Sequence, residues 1–246
     1  MKLLLTSSGI TQGAIENALV DLLGKPIAES KALIVPAGVY PFQDGAYHAW
    51  SPIAGSKAGG MAQLGWQAVG LLEITALPSI ARDNWLPTVA EADALLVWGG
   101  DPLFLAYWMA ESGLTELLPA LPAPPVYVGV SAGAIATATL FGEAYAKLPG
   151  AAGRPLSVED IVLPEGNIER VFVTAQGMGL TDFAIIPHYE NPGHGDASTV
   201  NAAAWAAKLP VPVYAIDERT AIKVDDGVVD VVSEGRWTLF TPSPTV

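Results

Sequence analysis

The most informative short motif in this sequence is Gly129-Val130-Ser131-Ala132-Gly133. It follows the apolar run Pro125–Val130, which predicts a buried strand, and precedes Ala132–Thr139, which predicts a helix. A Gly-x-Ser-x-Gly sequence at a sharp strand-to-helix turn is typical of a nucleophile elbow, although the pattern also occurs by chance in loops. Such a turn presents the Ser131 hydroxyl above the sheet edge and directs the Ala132 N–H toward a developing oxyanion. We therefore predict that Ser131 is a nucleophile.

A serine nucleophile needs a general base, and the chain contains 3 histidines. His188 follows the apolar run Phe183–Pro187, so it lies at the carboxyl end of a predicted strand, on the same sheet edge as the elbow. His194 follows in a glycine-containing loop and is the alternative base, whereas His48 is interpreted as a surface or packing residue. We predict that His188 is the base; the alternative is a strand-end histidine that contacts only backbone.

A carboxylate would orient the histidine and stabilise its charged form. Asp217 and Glu218 follow the apolar run Val213–Ile216, at the carboxyl end of another predicted strand. Because successive residues of an extended segment point to opposite faces, only one of these two acids can reach His188. Spacing alone does not choose between them. Further acids also stay open as alternatives, namely Asp160, Glu169, Asp182 and Glu190.

A second glycine turn, Gly99-Gly100-Asp101-Pro102, ends the predicted strand Ala94–Trp98 and begins a predicted helix over Pro102–Ser112. Glycine lets a backbone amide approach a reacting carbonyl, so the N–H of Gly100 or of Asp101 is a candidate second oxyanion donor. A phosphate cradle and a plain tight turn are the alternatives. The chain contains neither Gly-x-x-x-x-Gly-Lys-Ser/Thr nor Gly-x-Gly-x-x-Gly, which disfavours the phosphate cradle.

Composition argues against several other chemistries. The absence of cysteine removes disulfides, thiolate metal sites and cysteine nucleophiles. A metal site built from His188, Glu190 and His194 is disfavoured, because Pro192 and Gly193 exclude a helical His-x-x-x-His face. With 12 Lys and Arg against 25 Asp and Glu, the formal net charge is −13, which disfavours nucleic acid as a partner. We expect no metal and no cofactor.

The elements that would position these residues alternate between short apolar runs and longer helical stretches, a pattern typical of a doubly wound parallel sheet. A hydrophobic content of 51% with 15% charged residues excludes a disordered chain. The strands predicted in this part are Lys2–Thr6, Ala32–Pro36, Ala68–Ile74, Ala94–Trp98 and Pro125–Val130. The helices predicted between and after them are Gly13–Leu23, part of Gln43–Leu64, Trp85–Glu91, Pro102–Ser112 and Ala132–Thr139.

The second part of the chain is richer in β-like runs. Residues 142–175 contain scattered Gly and Pro with short β-like runs, and Phe183–Pro187 predicts a further strand before a helix over Ala197–Leu209. The last predicted strands are Val213–Ile216, Ala221–Val224, Val228–Val232 and Trp237–Phe240, with a hairpin turn at Asp226-Gly227. No repeat or linker divides the chain. We predict one domain over 1–246, a three-layer α/β sandwich with a mostly parallel sheet and β-rich additions.

Neither a signal peptide nor a membrane span is predicted. The N-terminal apolar run Leu3–Leu5 ends at Ser-Ser-Gly, far short of the ~7–15 residues of a secretory h-region. No stretch reaches the ~18 unbroken apolar residues of a membrane span. We expect a soluble, cytoplasmic protein that binds no membrane.

Together, five segments resemble the peptidase E family of serine peptidases, which includes α-aspartyl dipeptidases and cyanophycinases. They are, in order, Leu3–Ser8, Trp98–Leu105, Gly129–Ala134, Ile186–Tyr189 and Ile216–Ala221. The resemblance covers most of the chain and implies a flavodoxin-like fold related to class I glutamine amidotransferases. It also implies a Ser-His-Glu triad, with Ser131 as the nucleophile, His188 as the base and Glu218 as the acid. The Gly-Gly turn matches the family's oxyanion loop.

The sequence departs from the aspartyl dipeptidases of that family at the residues that would recognise substrate. Those enzymes have an arginine in the helix after the catalytic histidine, which holds the substrate's N-terminal aspartate, whereas Ala197–Leu209 contains none. Arg154 and Arg170, in the longer segment between nucleophile and base, are alternative cations. Asp101 stands where the dipeptidases commonly have asparagine, and we expect it to make the mouth of the site more negative.

The predicted function is hydrolysis of a peptide or related amide bond in a small or unusual peptide, by a dipeptidase or cyanophycinase-like serine peptidase. An esterase or acyl transferase with the same triad is one alternative. A catalytically inactive binding or regulatory protein of the same fold is the other. The partner is then a small peptide substrate, and the oligomeric state is left open, with a homodimer among the options.

Overall fold

The computed structural model describes residues 1–10, 13–54 and 60–242. The strands are, in chain order, β1 (Leu3–Thr6), β2 (Lys31–Val35), β3 (Ala68–Leu71), β4 (Ala94–Val97), β5 (Val126–Val130), β6 (Leu140–Tyr145), β7 (Pro155–Leu163), β8 (Ile168–Gln176), β9 (Ala184–Ile186), β10 (Val213–Ile216), β11 (Thr220–Asp225), β12 (Val228–Ser233) and β13 (Trp237–Phe240). The α-helices are α1 (Ala14–Leu23), α2 (Gly45–Ala54), α3 (Leu86–Ala90), α4 (Pro102–Glu111), α5 (Leu114–Ala120), α6 (Ala132–Ile135) and α7 (Thr199–Ala206).

The largest sheet has seven strands in the order β12-β11-β1-β5-β4-β2-β3. Strands β1, β5, β4, β2 and β3 run parallel to one another, while β11 and β12 are antiparallel to their neighbours. Parallel strands are typical of sheets that helices cover on both faces. The predicted mostly parallel sheet is confirmed.

Apolar side chains fill both faces of this sheet. Successive residues of a strand point to opposite faces, so Leu3 and Leu5 join one buried cluster while Leu4 joins the other. Helix α1 covers the second cluster with side chains that include Leu19 and Leu22. Apolar layers on both faces make the molecule a three-layer α/β structure, as predicted.

The central parallel strands direct three candidate segments to one edge. Thr6 at the end of β1 pairs with Val130 at the end of β5, so Ser7 and Ser131 leave the sheet side by side. The turn that contains Gly100 follows β4, which is the other neighbour of β5. In open α/β sheets, the carboxyl edge of the strands is where ligands bind.

Two smaller sheets complete the structure. In the order β13-β10-β9, strands β9 and β10 are parallel, so the residues after them, His188 and Glu218, emerge at the same end. Strands β6, β8 and β7 form an antiparallel sheet. These sheets are the β-rich additions expected in the C-terminal half.

Several predicted boundaries were wrong. The helix after Ser131 ends at Ile135 rather than Thr139, because the Thr137 hydroxyl donates to the Ala134 carbonyl at 2.7 Å and the chain turns into β6. The region 142–175 forms two long strands and part of a third instead of short runs. Helix α5, which begins after Gly113 at a φ of 76°, was not among the predicted elements.

Other local predictions held. The hairpin turn between β11 and β12 has positive φ at both central residues, 47° at Asp226 and 88° at Gly227, as a two-residue hairpin of this type requires. Residues 55–59, which fall inside the predicted Gln43–Leu64 helical region, lie outside the described residues. Across the described ranges, no helix is long and apolar enough to cross a lipid bilayer.

Candidate active site

Ser131 occupies the sharp turn between β5 and α6. Its φ of 50° and ψ of −111° lie in a region that residues other than glycine rarely adopt. The Ser131 N–H donates to the Thr6 carbonyl at 2.8 Å, which fastens the turn to β1. A Cβ atom at Gly129 would lie 2.6 Å from the Gly133 oxygen, and one at Gly133 would lie 2.3 Å from the Val97 oxygen. Both flanking glycines are therefore required by packing, as expected of a nucleophile elbow.

His188 follows β9 and faces Ser131. Its Nε2 lies 3.1 Å from the Ser131 Oγ. The His188 backbone adopts a φ of 59°, and its N–H donates to the Ser7 hydroxyl at 3.1 Å. The Ser7 hydroxyl in turn donates to the Ile216 carbonyl at 2.7 Å, so the end of β1 connects the ends of β9 and β10. The position of the imidazole is thus fixed by three strands.

Glu218 is the carboxylate that reaches His188. Its Oε1 lies 3.1 Å from the His188 Nδ1 and also accepts from the Asn191 Nδ2 at 2.5 Å. The adjacent Asp217 turns away, because its Oδ1 accepts from the Arg219 N–H at 3.0 Å and its Oδ2 accepts from the Arg236 N–H at 2.5 Å. The two neighbouring acids therefore diverge, as the extended geometry predicts.

The other acids considered at the sequence level lie elsewhere. Glu190 accepts hydrogen bonds from the N–H and hydroxyl of Thr199 and is 4.0 Å from Arg236. Asp160 belongs to β7, on the exposed edge of the antiparallel sheet. Within the part of the chain that the structure describes, four acids form no hydrogen bond with the His188 ring, namely Asp160, Glu169, Asp182 and Glu190.

The environment of His188 favours its neutral form. Burial lowers the pKa of His188, and the positive charge that His194 can carry acts in the same direction. The hydrogen bond that the His188 Nδ1 makes to the Glu218 carboxylate raises the pKa but does not overcome these two effects. A pKa below the ordinary histidine range leaves the imidazole unprotonated near neutral pH, the state that a general base requires.

The second glycine turn lies against Ser131. A Cβ atom at Gly99 would lie 3.2 Å from the Ser131 Cβ. Gly100 has a φ of 129°, and a Cβ there would be 2.2 Å from the Gly38 backbone, so no other residue fits. The Asp101 N–H already donates to the Gly38 carbonyl at 2.7 Å, so this amide is not available as an oxyanion donor, contrary to one of the two predicted options.

The Asp101 side chain is buried, so the prediction that it makes the mouth of the site more negative was wrong. The residue is 1% exposed, and its Oδ1 accepts from the Phe104 N–H at 2.7 Å as the N-terminal cap of α4. The Tyr145 hydroxyl donates to the same oxygen at 3.3 Å. Burial raises the pKa of this carboxyl. Asp101 therefore holds the start of α4 behind the glycine turn.

Glu143 is a site-proximal residue that the sequence reading missed. It lies on β6 between Phe141 and Tyr145, the latter bonded to Asp101. Burial raises the pKa of Glu143 to about 8, and the charges of Asp101 and Asp196 act in the same direction. In the sequence, Glu143 is a single acid within an otherwise apolar strand, and this pattern could have identified it. It was missed because residues 142–175 were not predicted to form continuous strands.

The two candidate substrate cations already have carboxylate partners. Arg154 pairs with Glu111 and lies over the Tyr107 ring, 5.1 Å from its centroid. The Arg170 Nε is 3.3 Å from the Asp196 Oδ2. Helix α7 contains no arginine, in agreement with the sequence. In the described ranges, no three His, Asp or Glu side chains are grouped closely enough to hold a metal ion.

At the sheet edge of this three-layer α/β fold, a serine, a histidine and a glutamate are hydrogen-bonded in series. This arrangement is typical of serine hydrolases. The sequence matches the model of peptidase family S51 over residues 3–232, and the chain belongs to that family. None of the curated proteins matches it significantly.

Solved structures share the fold. A candidate peptidase E protein from Listeria monocytogenes EGD-e is similar with a TM-score of 0.57 and 18% sequence identity, covering 95% of this chain and 98% of that one. A peptidase from an acI-B1 Actinobacterium has a TM-score of 0.56 and 18% identity, covering 100% of this chain and 96% of that one.

Proposed function

We propose that this protein is a serine peptidase that cleaves a peptide or related amide bond in a small peptide, with Ser131, His188 and Glu218 as its catalytic triad. The observation that carries the proposal is the continuous hydrogen-bonded series in which the His188 ring lies 3.1 Å from both Ser131 and Glu218. Membership in peptidase family S51 supports the same class of reaction.

The first half of the reaction is acylation of Ser131. The Ser131 Oγ attacks the substrate carbonyl carbon while the His188 Nε2 takes the hydroxyl proton. The C–N bond then breaks, and His188 returns that proton to the leaving amine. The second half is hydrolysis, in which a water molecule attacks the acyl ester after losing a proton to His188, and the acid product leaves as the proton returns to Ser131. Glu218 orients His188 and stabilises its charged form.

The negative charge on the tetrahedral intermediate would be met by backbone amides. Ala132 is the first residue of α6, where a helix N–H has no intrahelical acceptor. Gly100 supplies the second N–H in this proposal, since the Asp101 N–H is bonded to Gly38. Removing one oxyanion donor typically costs ~100-fold or more in rate, so both amides are expected to matter.

The pairing of Arg154 with Glu111 and of Arg170 with Asp196 favours neutral or basic substrates. Glu143 interacts electrostatically with Asp101 and with Asp196, and Asp196 also interacts with His188. The candidate cation Arg170 is already paired with Asp196. A substrate carboxylate would therefore lose its water without gaining a free cation, which is unfavourable.

A fluorophosphonate probe tests the proposal without knowledge of the substrate. Folded wild-type protein is expected to gain the mass of one probe less HF, because the Ser131 Oγ–P bond forms as the P–F bond breaks, and peptide mapping should locate the label at Ser131. Ser131→Ala is expected to stay unlabelled, while Ser79→Ala, which changes an exposed serine bonded to Ala76, labels like wild type. Failure of the folded wild type to label, or labelling that survives in Ser131→Ala, would overturn the proposal.

A further inference from the structure

The imidazole of His194 is stacked on that of His188. The ring centroids are 4.1 Å apart and the ring planes meet at 14°. Ser131 and Glu218 contact the two ring nitrogens of His188, at the edge of the ring. His194 instead covers one face of the His188 ring. Although His194 itself is exposed, the His188 side chain is only 19% exposed.

The loop that carries His194 is held in place by its own backbone. The His194 N–H donates to the Asn191 carbonyl at 2.8 Å, and its carbonyl accepts from the Ala197 N–H at 2.9 Å. The Asn191 side chain accepts from the Gly193 N–H at 2.8 Å while it donates to Glu218. Asn191 therefore couples the position of the stacked ring to that of the triad carboxylate.

We propose that His194 is a positioning residue, which holds the His188 ring flat between Ser131 and Glu218 and stabilises the charge that this ring gains during the reaction. The role rests on the proposed serine peptidase function. Hydrogen bonds at the two ring edges do not support the ring against tipping, whereas a parallel ring against one face does. An aromatic face within ~6 Å also attracts a cation, so a neutral His194 favours the imidazolium form of His188.

The charge of His194 has the opposite effect. When His194 is protonated, it opposes a second proton on the ring stacked against it. The other charged groups near His188 are Glu218, at Nδ1, and Asp196, whose carboxylate is paired with Arg170. A positive charge on His194 therefore acts with burial to lower the pKa of His188.

On its outer side His194 lines a groove with Glu165 and Glu190. Their carboxylates accept hydrogen bonds from Ser198 and Thr199, respectively.

Two substitutions of His194 distinguish the effect of its aromatic ring from the effect of its charge. His194→Phe keeps an aromatic face and removes the charge, and the exposed position leaves room for the phenyl ring. We expect its inactivation rate with a fluorophosphonate at pH 8 to stay within about twofold of wild type. The acid limb of its pH profile should move to higher pH by about 0.5–1 unit, since a like charge ~4 Å away disappears. His194→Ala loses the ring as well, and we expect a roughly tenfold lower rate at pH 8.

Equal rates and equal acid limbs in wild type and both variants would overturn the proposal. So would an equal loss in both variants with no shift of the limb, which is the result of a purely structural role. NMR titration of His188 in the Ser131→Ala background is the second measurement, with the exposed His48 of α2 as reference. His194→Phe is expected to raise the His188 midpoint, and an unchanged midpoint would contradict the proposal. This titration decides the matter even if the probe never labels Ser131, a result that concerns only the proposed function.

Discussion

The Oγ of Ser131 lies 3.1 Å from the Nε2 of His188, although the two residues follow strands of different sheets. Ser131 follows β5 in the large sheet, and His188 follows β9 in the small one. Ser7 joins the two sheets at this point, because its hydroxyl accepts from the His188 N–H and donates to the Ile216 carbonyl. The relative position of nucleophile and base thus depends on contacts between sheets.

The divergence of two adjacent acids gives the first prediction. Glu218→Gln is expected to lower kcat at least ~100-fold, because the amide cannot stabilise a charged His188. Asp217→Asn is expected to keep kcat within severalfold but to lower the Tm, because Asp217 accepts from Arg219, Thr220 and Arg236. Steady-state kinetics and thermal unfolding of both variants check this. A larger loss of kcat at Asp217 would show that the assignment of the acid is wrong.

The crowding beneath the elbow gives the second prediction. Gly133→Ala would place a methyl group 2.3 Å from the Val97 oxygen, and we expect a loss of about 1–3 kcal/mol in the free energy of unfolding. Gly195→Ala is the matched control, because its methyl group would meet Ile168 at 3.5 Å, an ordinary contact. Denaturant unfolding measures both. Equal stability of the two variants would contradict the tight elbow.

The predictability of the site differs between its parts. Ser131 and His188 could be predicted, because each follows an apolar run and the carboxyl ends of parallel strands meet at one edge. The choice of Glu218 over Asp217 could not be made from spacing. It depends on the turn that engages Asp217 with the Arg219 and Arg236 amides, a contact between distant segments.

The fold shows the same division. The parallel strands were predicted to within a few residues because they are short, mostly apolar and bounded by turns. Strand β7 was not recognised as continuous, because its first six residues are exposed and its sequence therefore shows no alternation of buried and exposed positions. Its nine residues are held by pairing with β8, which no local pattern reveals.

The partly buried Glu143 gives a prediction about stability and pH. Its pKa of about 8 lies above the usual glutamate value, so the folded state keeps a proton that the unfolded chain loses above pH ~4.5. The contribution of Glu143 is therefore fully present below that pH and is lost as the pH rises through about 8. The Tm of Glu143→Gln minus that of wild type should therefore be larger at pH 9 than at pH 5.

Thermal scans at both pH values measure this change. The exposed Glu116 of α5 supplies the control for loss of one carboxylate, as Glu116→Gln. A Tm difference between Glu143→Gln and wild type that is the same at pH 5 and pH 9 would refute the raised pKa of Glu143.

Substrate preference gives the fourth prediction. We expect kcat/KM for Asp-X dipeptides not to exceed that for matched neutral or basic substrates, because Arg154 and Arg170 are paired with Glu111 and Asp196. The formal net charge of −13 acts in the same direction. A preference for Asp-X of tenfold or more, about 1.4 kcal/mol in transition-state binding, would show instead that one of these arginines leaves its partner.

Ser131 is the nucleophile of the proposed peptidase. The most direct measurement is hydrolysis of the best substrate from a dipeptide library, with mass-spectrometric detection, by wild type and Ser131→Ala at equal concentration. We expect a loss of ~1,000-fold or more in kcat/KM with an unchanged Tm, because the serine and its base act as a unit. Turnover by Ser131→Ala close to that of wild type would contradict it.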